Sequence, residues 1–227
     1  MHIILIILFI VVLVFGPQWW ARHTFKRYSK CQDHIEGTGG ELARHLLDRY
    51  AMEEVKVEMT ETEGDHYDPL SKTVRLSPNN YHDNSLTAIA VATHEVGHAI
   101  QHYDSDRRLV LRTRLAQLAQ ASEKIGSGFM IMMPIMLLLT RSPIASLIFT
   151  VAGFISIAGS ALMHLVTLPV EWDASFGKAL PILKSGYVRE EDYAAIETIL
   201  KAAAFTYVAA SLASLLNVWR WIALLRR

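Results

Sequence analysis

Residues 92–102, ATHEVGHAIQH, place three histidines and one glutamate within eleven residues. Read as a helix, the stretch sets His94 and His98 about 40° apart around the axis and about 6 Å apart along it, so both imidazoles reach one ion. The spelling H-E-x-x-H over His94, Glu95 and His98 is therefore a candidate metal site. Two imidazole nitrogens suit zinc and leave room for a carboxylate and a water. Glu95 sits one residue round from His94, within reach of that water. As general base it takes the water's proton while a carbonyl is attacked and hands it to the leaving amine. The competing reading is a helix face carrying two surface histidines. The flanks LTAIAVAT and GHAI are apolar, which predicts a buried helix. Two buried imidazoles and a buried glutamate are costly without a partner such as a metal.

The third ligand has to come from elsewhere. His102 lies on the same face but about 12 Å along the axis from His94, too far for one ion on a straight helix. It reads as a helix-end or rim residue. Asp104 occupies the third-ligand place of the longer H-E-x-x-H-x-x-G-x-x-H pattern, but Gln101 stands where that pattern needs glycine. Glu171, in LPVEWDASFGKAL, is the preferred candidate: Pro169 marks a break and Glu171 begins a helix, where an acid could also simply favour the dipole. Ser175, four residues on, shares its face and could hold a ligand histidine in place. Asp173 points elsewhere on such a helix.

The 227 residues balance 22 basic against 22 acidic side chains, so no nucleic-acid partner is indicated by charge. Hydrophobic residues make up 52% and mean hydropathy is +0.23, which points to membrane segments. The lone Cys31 excludes an internal disulfide and a cysteine-rich zinc site, reads as a free thiol, and fits a reducing compartment. Residues 3–15, IILIILFIVVLVF, are an unbroken apolar run, followed by Gly16, Pro17, Trp19–Trp20 and then Arg22, Lys26, Arg27 and Lys30. That order predicts an N-terminal membrane anchor over 1–20. A cleaved signal peptide fits less well, with only Met1-His2 before the run and tryptophan where cleavage would fall.

Residues 21–124 read as the catalytic region. EGTGGELARHLLDRY predicts a turn and an amphipathic helix with Leu42, Leu46 and Leu47 on one face, EVKVEM and KTVRLS predict strands, and Asn84 or Ser85 caps a helix from Leu86 past His98. KTVRLS could serve as an edge strand aligning an extended peptide. GDHYDP, residues 64–69, reads either as a polar turn ended by Pro69 or as a functional loop. In the second reading His66 or Tyr67 hydrogen-bonds a developing oxyanion, or Asp65 or Asp68 orients a ligand histidine. Residues 125–140 and 144–170 lack charge and predict a transmembrane hairpin (125–170) with Arg141 in its turn; its first arm is short. Ala152, Ser156, Ser160 and His164 fall four apart, a close-packing stripe. A polar helix (171–201) then carries the third ligand, and an apolar C-terminal helix (202–227) spans the bilayer or lies in its interface. Fourteen of the 22 basic residues lie between Arg22 and Lys124, which places the catalytic region on the cytoplasmic side.

Five stretches, GTGGELAR, GDHYDP, VRLS, HEVGHAIQH and LPVEWDAS, occur in that order. By them the chain resembles the bacterial membrane-bound neutral zinc metallopeptidases of the YugP type, and it is distantly similar to the HtpX-type membrane proteases. The resemblance covers most of the chain. It implies a zinc-dependent peptidase of the bacterial inner membrane, with Zn2+ as cofactor, peptide or protein substrates and the lipid bilayer as partner. In the HtpX-type relatives a glutamate after a transmembrane hairpin completes the site, which matches Glu171. Those relatives usually carry an aspartate four residues later, where this chain has Ser175. The expected fold class is thus mostly α and integral to the membrane, with a zincin-like α+β catalytic domain built from the H-E-x-x-H helix and a small sheet. A zinc-stabilised but catalytically silent scaffold is the alternative. An intramembrane protease is disfavoured because no aspartate lies within 125–170.

Overall fold

The computed structural model describes residues 2–61, 64–140 and 167–206, with isolated positions between 142 and 155. The chain divides into two compact units. One is Pro17–Val110 with Pro169–Thr206; the other gathers Met1–Gly16, Leu111–Leu168 and Tyr207–Arg227. In chain order the described elements begin with α1 (His2–Arg27), α2 (Gly39–Arg49), β1 (Lys56–Met59), β2 (His66–Asp68) and β3 (Thr73–Leu76). They continue with α3 (Pro78–His82), α4 (Leu86–Tyr103) and α5 (Arg107–Thr140). Helical residues 167–187, including a π-helical stretch Asp173–Ala179, and a helix over 193–206 complete the set.

The unit Pro17–Val110 with Pro169–Thr206 is organised around α4. Ser85 caps it, its side chain accepting from the Ala88 amide, and every residue from Leu86 to Gln101 is buried. A helix buried all round lies in a core, and α4 has a packing partner on each flank. Ala92, Val96, Ala99 and Ile100 meet Leu46 and Leu47 of α2 and Tyr67, Val74 and Leu76 of the sheet. Leu86, Ile89 and Ala90 meet Ala179, Leu183, Ile196, Ile199 and Leu200 from the later helices. Each fully buried leucine contributes roughly 1.5–3 kcal/mol, so this two-sided burial holds the motif helix rigidly. α2 starts with a reciprocal cap: Thr38 Oγ1 accepts from the Glu41 amide while the Thr38 amide donates to Glu41 Oε2. Gly39 is required there, since a Cβ would lie 2.1 Å from the Asn80 carbonyl oxygen.

The sheet has the order β1-β3-β2, with β1 parallel and β2 antiparallel to β3; Val57 and Tyr67 both pair with Val74. KTVRLS was expected as an edge strand and is instead the central one. GDHYDP supplies the reason: it forms β2 and covers the edge that a peptide would need. Asn84, the other expected cap, donates to the carbonyls of Gln32 and Ile35 instead.

The membrane-spanning architecture is corrected. Among the described residues no helix is long and apolar enough to cross a membrane. The apolar run 3–15 reaches about 20 Å at 1.5 Å per residue, against ~30 Å of hydrocarbon. Its helix does not stop at Gly16-Pro17 but continues through both to Arg27. Trp20, expected in an interfacial belt, sits edge-on to Phe205 at 6.4 Å. In α5 the uncharged residues 125–140 reach about 24 Å, and they prolong a first half bearing Arg107, Arg108, Arg112, Arg114 and Lys124. α5 also passes unbroken through the expected boundary at 124. Of the small-residue stripe, Ser156, Ser160 and His164 lie outside the described residues, as does the C-terminal run from 207. The sidedness drawn from Lys and Arg depended on crossing helices and falls with them.

Candidate metal centre

α4 presents His94 and His98 one turn apart, and the two rings lie 4.8 Å apart at 82° to each other. Glu171 arrives from the segment 169–187. Its Oε2 is 3.3 Å from His94 Nε2 and 3.2 Å from His98 Nε2. All three side chains are buried, and one ligand atom from each lies within 4.8 Å of the others. Glu171 does not begin a helix as expected: residues 167–170 are already helical, and Pro169, whose ring suits helical φ, is no break.

A close backbone contact fixes the segment on α4. A Cβ on Gly97 would lie 2.9 Å from the Ala174 carbonyl oxygen, so only glycine lets the two backbones approach this far. Trp172 packs on Phe176 at 4.4 Å and on Phe205 at 6.4 Å, holding the outer side. The π-helical turns that start at Asp173 follow Glu171 directly. Such turns widen the helix and are frequent at functional sites.

The hydrogen bonds behind the rings decide which nitrogen faces the centre. Ser175 Oγ is 3.0 Å from His94 Nδ1 and donates its proton to the Leu200 carbonyl at 3.2 Å. Having spent that proton, Oγ accepts from His94 Nδ1–H. Gln101 Nε2 donates to the Val170 carbonyl at 3.0 Å and to Asp173 Oδ2 at 2.8 Å, which turns its Oε1 to His98 Nδ1 at 2.9 Å. Both imidazoles are thereby held with Nδ1–H donating away from the centre and Nε2 facing Glu171. Burial alone would raise the Glu171 carboxyl. When protonated at Nε2 the imidazoles donate to Glu171, and the charge of His98 with the hydrogen bonds from both rings outweighs burial and holds the carboxyl well below the usual range; a cation would take the place of those protons. Two nitrogen lone pairs and an anionic oxygen converging in a buried space form a set of electron-pair donors that a cation fits.

Glu95 is buried on the same turn as His94, 6% exposed. The other candidates lie in other hydrogen-bond networks. Tyr67 OH is 2.8 Å from His102 Nδ1, beside a cavity of about 210 Å³ lined by Met52, Val55 and Ala99. Burial pushes the Tyr67 phenol up to about 12. His66 Nδ1 meets the Gly64 carbonyl at 2.7 Å. Asp65 accepts from the Ser77 amide and from Asn80, and Asp68 from Leu70, Ser71 and Arg75. Asp104 pairs with Lys178 at 3.4 Å. Two residues to which the sequence assigned no role complete the support: Gln101 stands directly behind His98, and Asp173 behind Gln101. The one signal available was that Gln101 is three residues after His98 on the same helix.

A buried mononuclear site of two imidazoles and one carboxylate is that of the zinc-hydrolase class. The chain belongs to the family described as "Putative neutral zinc metallopeptidase", which matches residues 3–226. It is 34% identical over 223 residues, 96% of each chain, to the "Putative membrane protease YugP" of Bacillus subtilis (strain 168). No solved structure matches it. Zinc is the family's metal, and the His94, His98 and Glu171 group is able to hold it.

Proposed function

We propose that this protein hydrolyses peptide bonds with water, with Glu95 as general base, and that it works in association with a membrane. The observation that carries the reading is the meeting of His94 Nε2 and His98 Nε2 on one Glu171 oxygen. Zinc held by these three residues would supply a positive charge that polarises the scissile carbonyl and acidifies water. Glu95 accepts the proton of the water that adds to the carbonyl carbon. It then delivers that proton to the amine nitrogen as the C–N bond breaks, leaving a carboxylic acid and an amine. Ser175 and Gln101 keep the two imidazoles from rotating, and burial of α4 strengthens each electrostatic contact.

A catalytically silent zinc scaffold would call for a closed set of four ligands. The described residues bring three together, which favours a site with a place for substrate or solvent. Membrane association is supported by the Bacillus subtilis relative, which is named a membrane protease. The test is Glu95→Gln: zinc content is expected to equal the parent's, while peptide cleavage falls by about 10²–10⁴-fold. Parental cleavage by this variant would refute the mechanism.

A further inference from the structure

Gln101 is 1% exposed and touches three partners belonging to two different elements. Its oxygen accepts from His98 Nδ1–H at 2.9 Å, on its own helix. Its nitrogen donates across the interface to the Val170 carbonyl, the peptide group joined to Glu171, at 3.0 Å. The same nitrogen reaches Asp173 Oδ2 at 2.8 Å, and Asp173 in turn faces Arg108 at 3.9 Å. No other side chain type of this size makes the same set. Glutamate lacks the N–H groups, lysine lacks the acceptor, and methionine has no donor and only a weak sulfur acceptor.

We infer that Gln101 is a positioning residue that joins the two halves of the metal centre. One amide fixes the tautomer and rotation of His98 and, at the same time, the register of the Glu171 segment on α4. The inference rests on the metal-site reading above. Because the two functions share one side chain, loss of either end misaligns ligands that come from residues 98 and 171. Gly97 allows the backbones to approach, and Gln101 determines where along α4 they stop. Ligand-supporting contacts of this kind are worth about 10–100-fold in metal affinity.

The test measures zinc affinity of the full-length protein by competition with a chelator, alongside the melting temperature of the metal-free protein. Gln101→Met, close in volume and without hydrogen bonds at its tip, is expected to weaken zinc binding by about 10–100-fold. Gln101→Glu places a carboxylate against Asp173 and the Val170 carbonyl and is expected to weaken it at least as much. The discriminating variant is Asp173→Asn. In the parent it should weaken zinc binding slightly, since it exchanges a charged acceptor for a neutral one. Added to Gln101→Glu it should strengthen binding by about 10-fold, because the new amide donates to the carboxylate. The same reversal is expected in the melting temperature, which decides the matter if Gln101→Met does not fold. Gln101→Met binding zinc as the parent does, or Asp173→Asn acting in the same direction in both backgrounds, would overturn the inference. His98→Ala losing zinc in that event would leave the metal site standing, whereas a parent that binds no zinc would remove both.

Discussion

The segments 94–101 and 64–77 hold similar side chains and use them in opposite ways. Both carry histidine and carboxylate groups. On α4 the helical period stacks His94 and His98 on one face, and residues 169–175 lie against that face. The polar groups of α4 and of residues 169–175 meet inside the protein, with His94, His98, Glu171, Ser175 and Gln101 all buried. In β2 the period is two, so Tyr67 turns inward to His102 while His66 and Asp68 turn the other way to Arg75. The polar groups of β2 are spent on closing a turn and pairing across strands. Composition alone does not make a site; the backbone period decides whether neighbouring groups converge.

That contrast can be broken at the helix. Gly97→Ala would favour an isolated helix interior by about 1 kcal/mol. Here the added Cβ meets the Ala174 carbonyl at 2.9 Å, and overpacking of this kind costs about 1–3 kcal/mol. We expect net destabilisation in urea together with weaker zinc binding. A more stable protein with parental zinc affinity would show that the two backbones are not in register-setting contact. A smaller effect is expected at Ser175. Ser175→Ala frees His94 Nδ1 and leaves the Leu200 carbonyl without its hydroxyl partner, so zinc affinity should fall by about 10-fold, read by chelator competition.

The strand side sharpens the comparison, because its effects should stop at stability. Burial would raise the Asp68 carboxyl, but bonds from Ser71, Leu70 and Arg75 hold it at about 2, below its ordinary 3.8. A carboxyl lowered by folding stabilises the protein above its unfolded pKa, and that stabilisation is lost as pH falls through the folded value. Asp68→Asn should therefore cost about 1 kcal/mol at neutral pH. The gap to the parent should narrow between pH 4 and 2, followed by denaturant unfolding. Zinc affinity should not change; a large loss would place the loop at the metal after all.

How much of this was legible follows from range. The His94–His98 spacing and the Ser85 cap are local, and short-range pattern exposes them. Glu171 lies 73 residues from His98; the need for an anionic ligand and the family resemblance pointed to it, not any pattern joining the two. Gln101 was read only as the wrong residue for a longer motif, because its value depends on Val170 and Asp173, about seventy residues away. Asp173 was set aside because an ideal helix directs it away from Glu171, and its bond to Gln101 was invisible. β2 is three residues long and flanked by turn formers, so its pairing with β3 could not be told from a turn. An apolar run is not a whole helix: α1 and α5 each join such a run to a charged stretch, which is why the runs alone predict spans that the structure lacks among the described residues.

The most direct measurement is zinc affinity of the full-length protein beside Glu171→Ala. Removing the carboxylate leaves two imidazoles on α4, and an incomplete set should hold zinc at least about 100-fold more weakly while the metal-free protein still folds. If Glu171→Ala binds one zinc as tightly as the parent, the ion is held elsewhere and the centre described here is not the site.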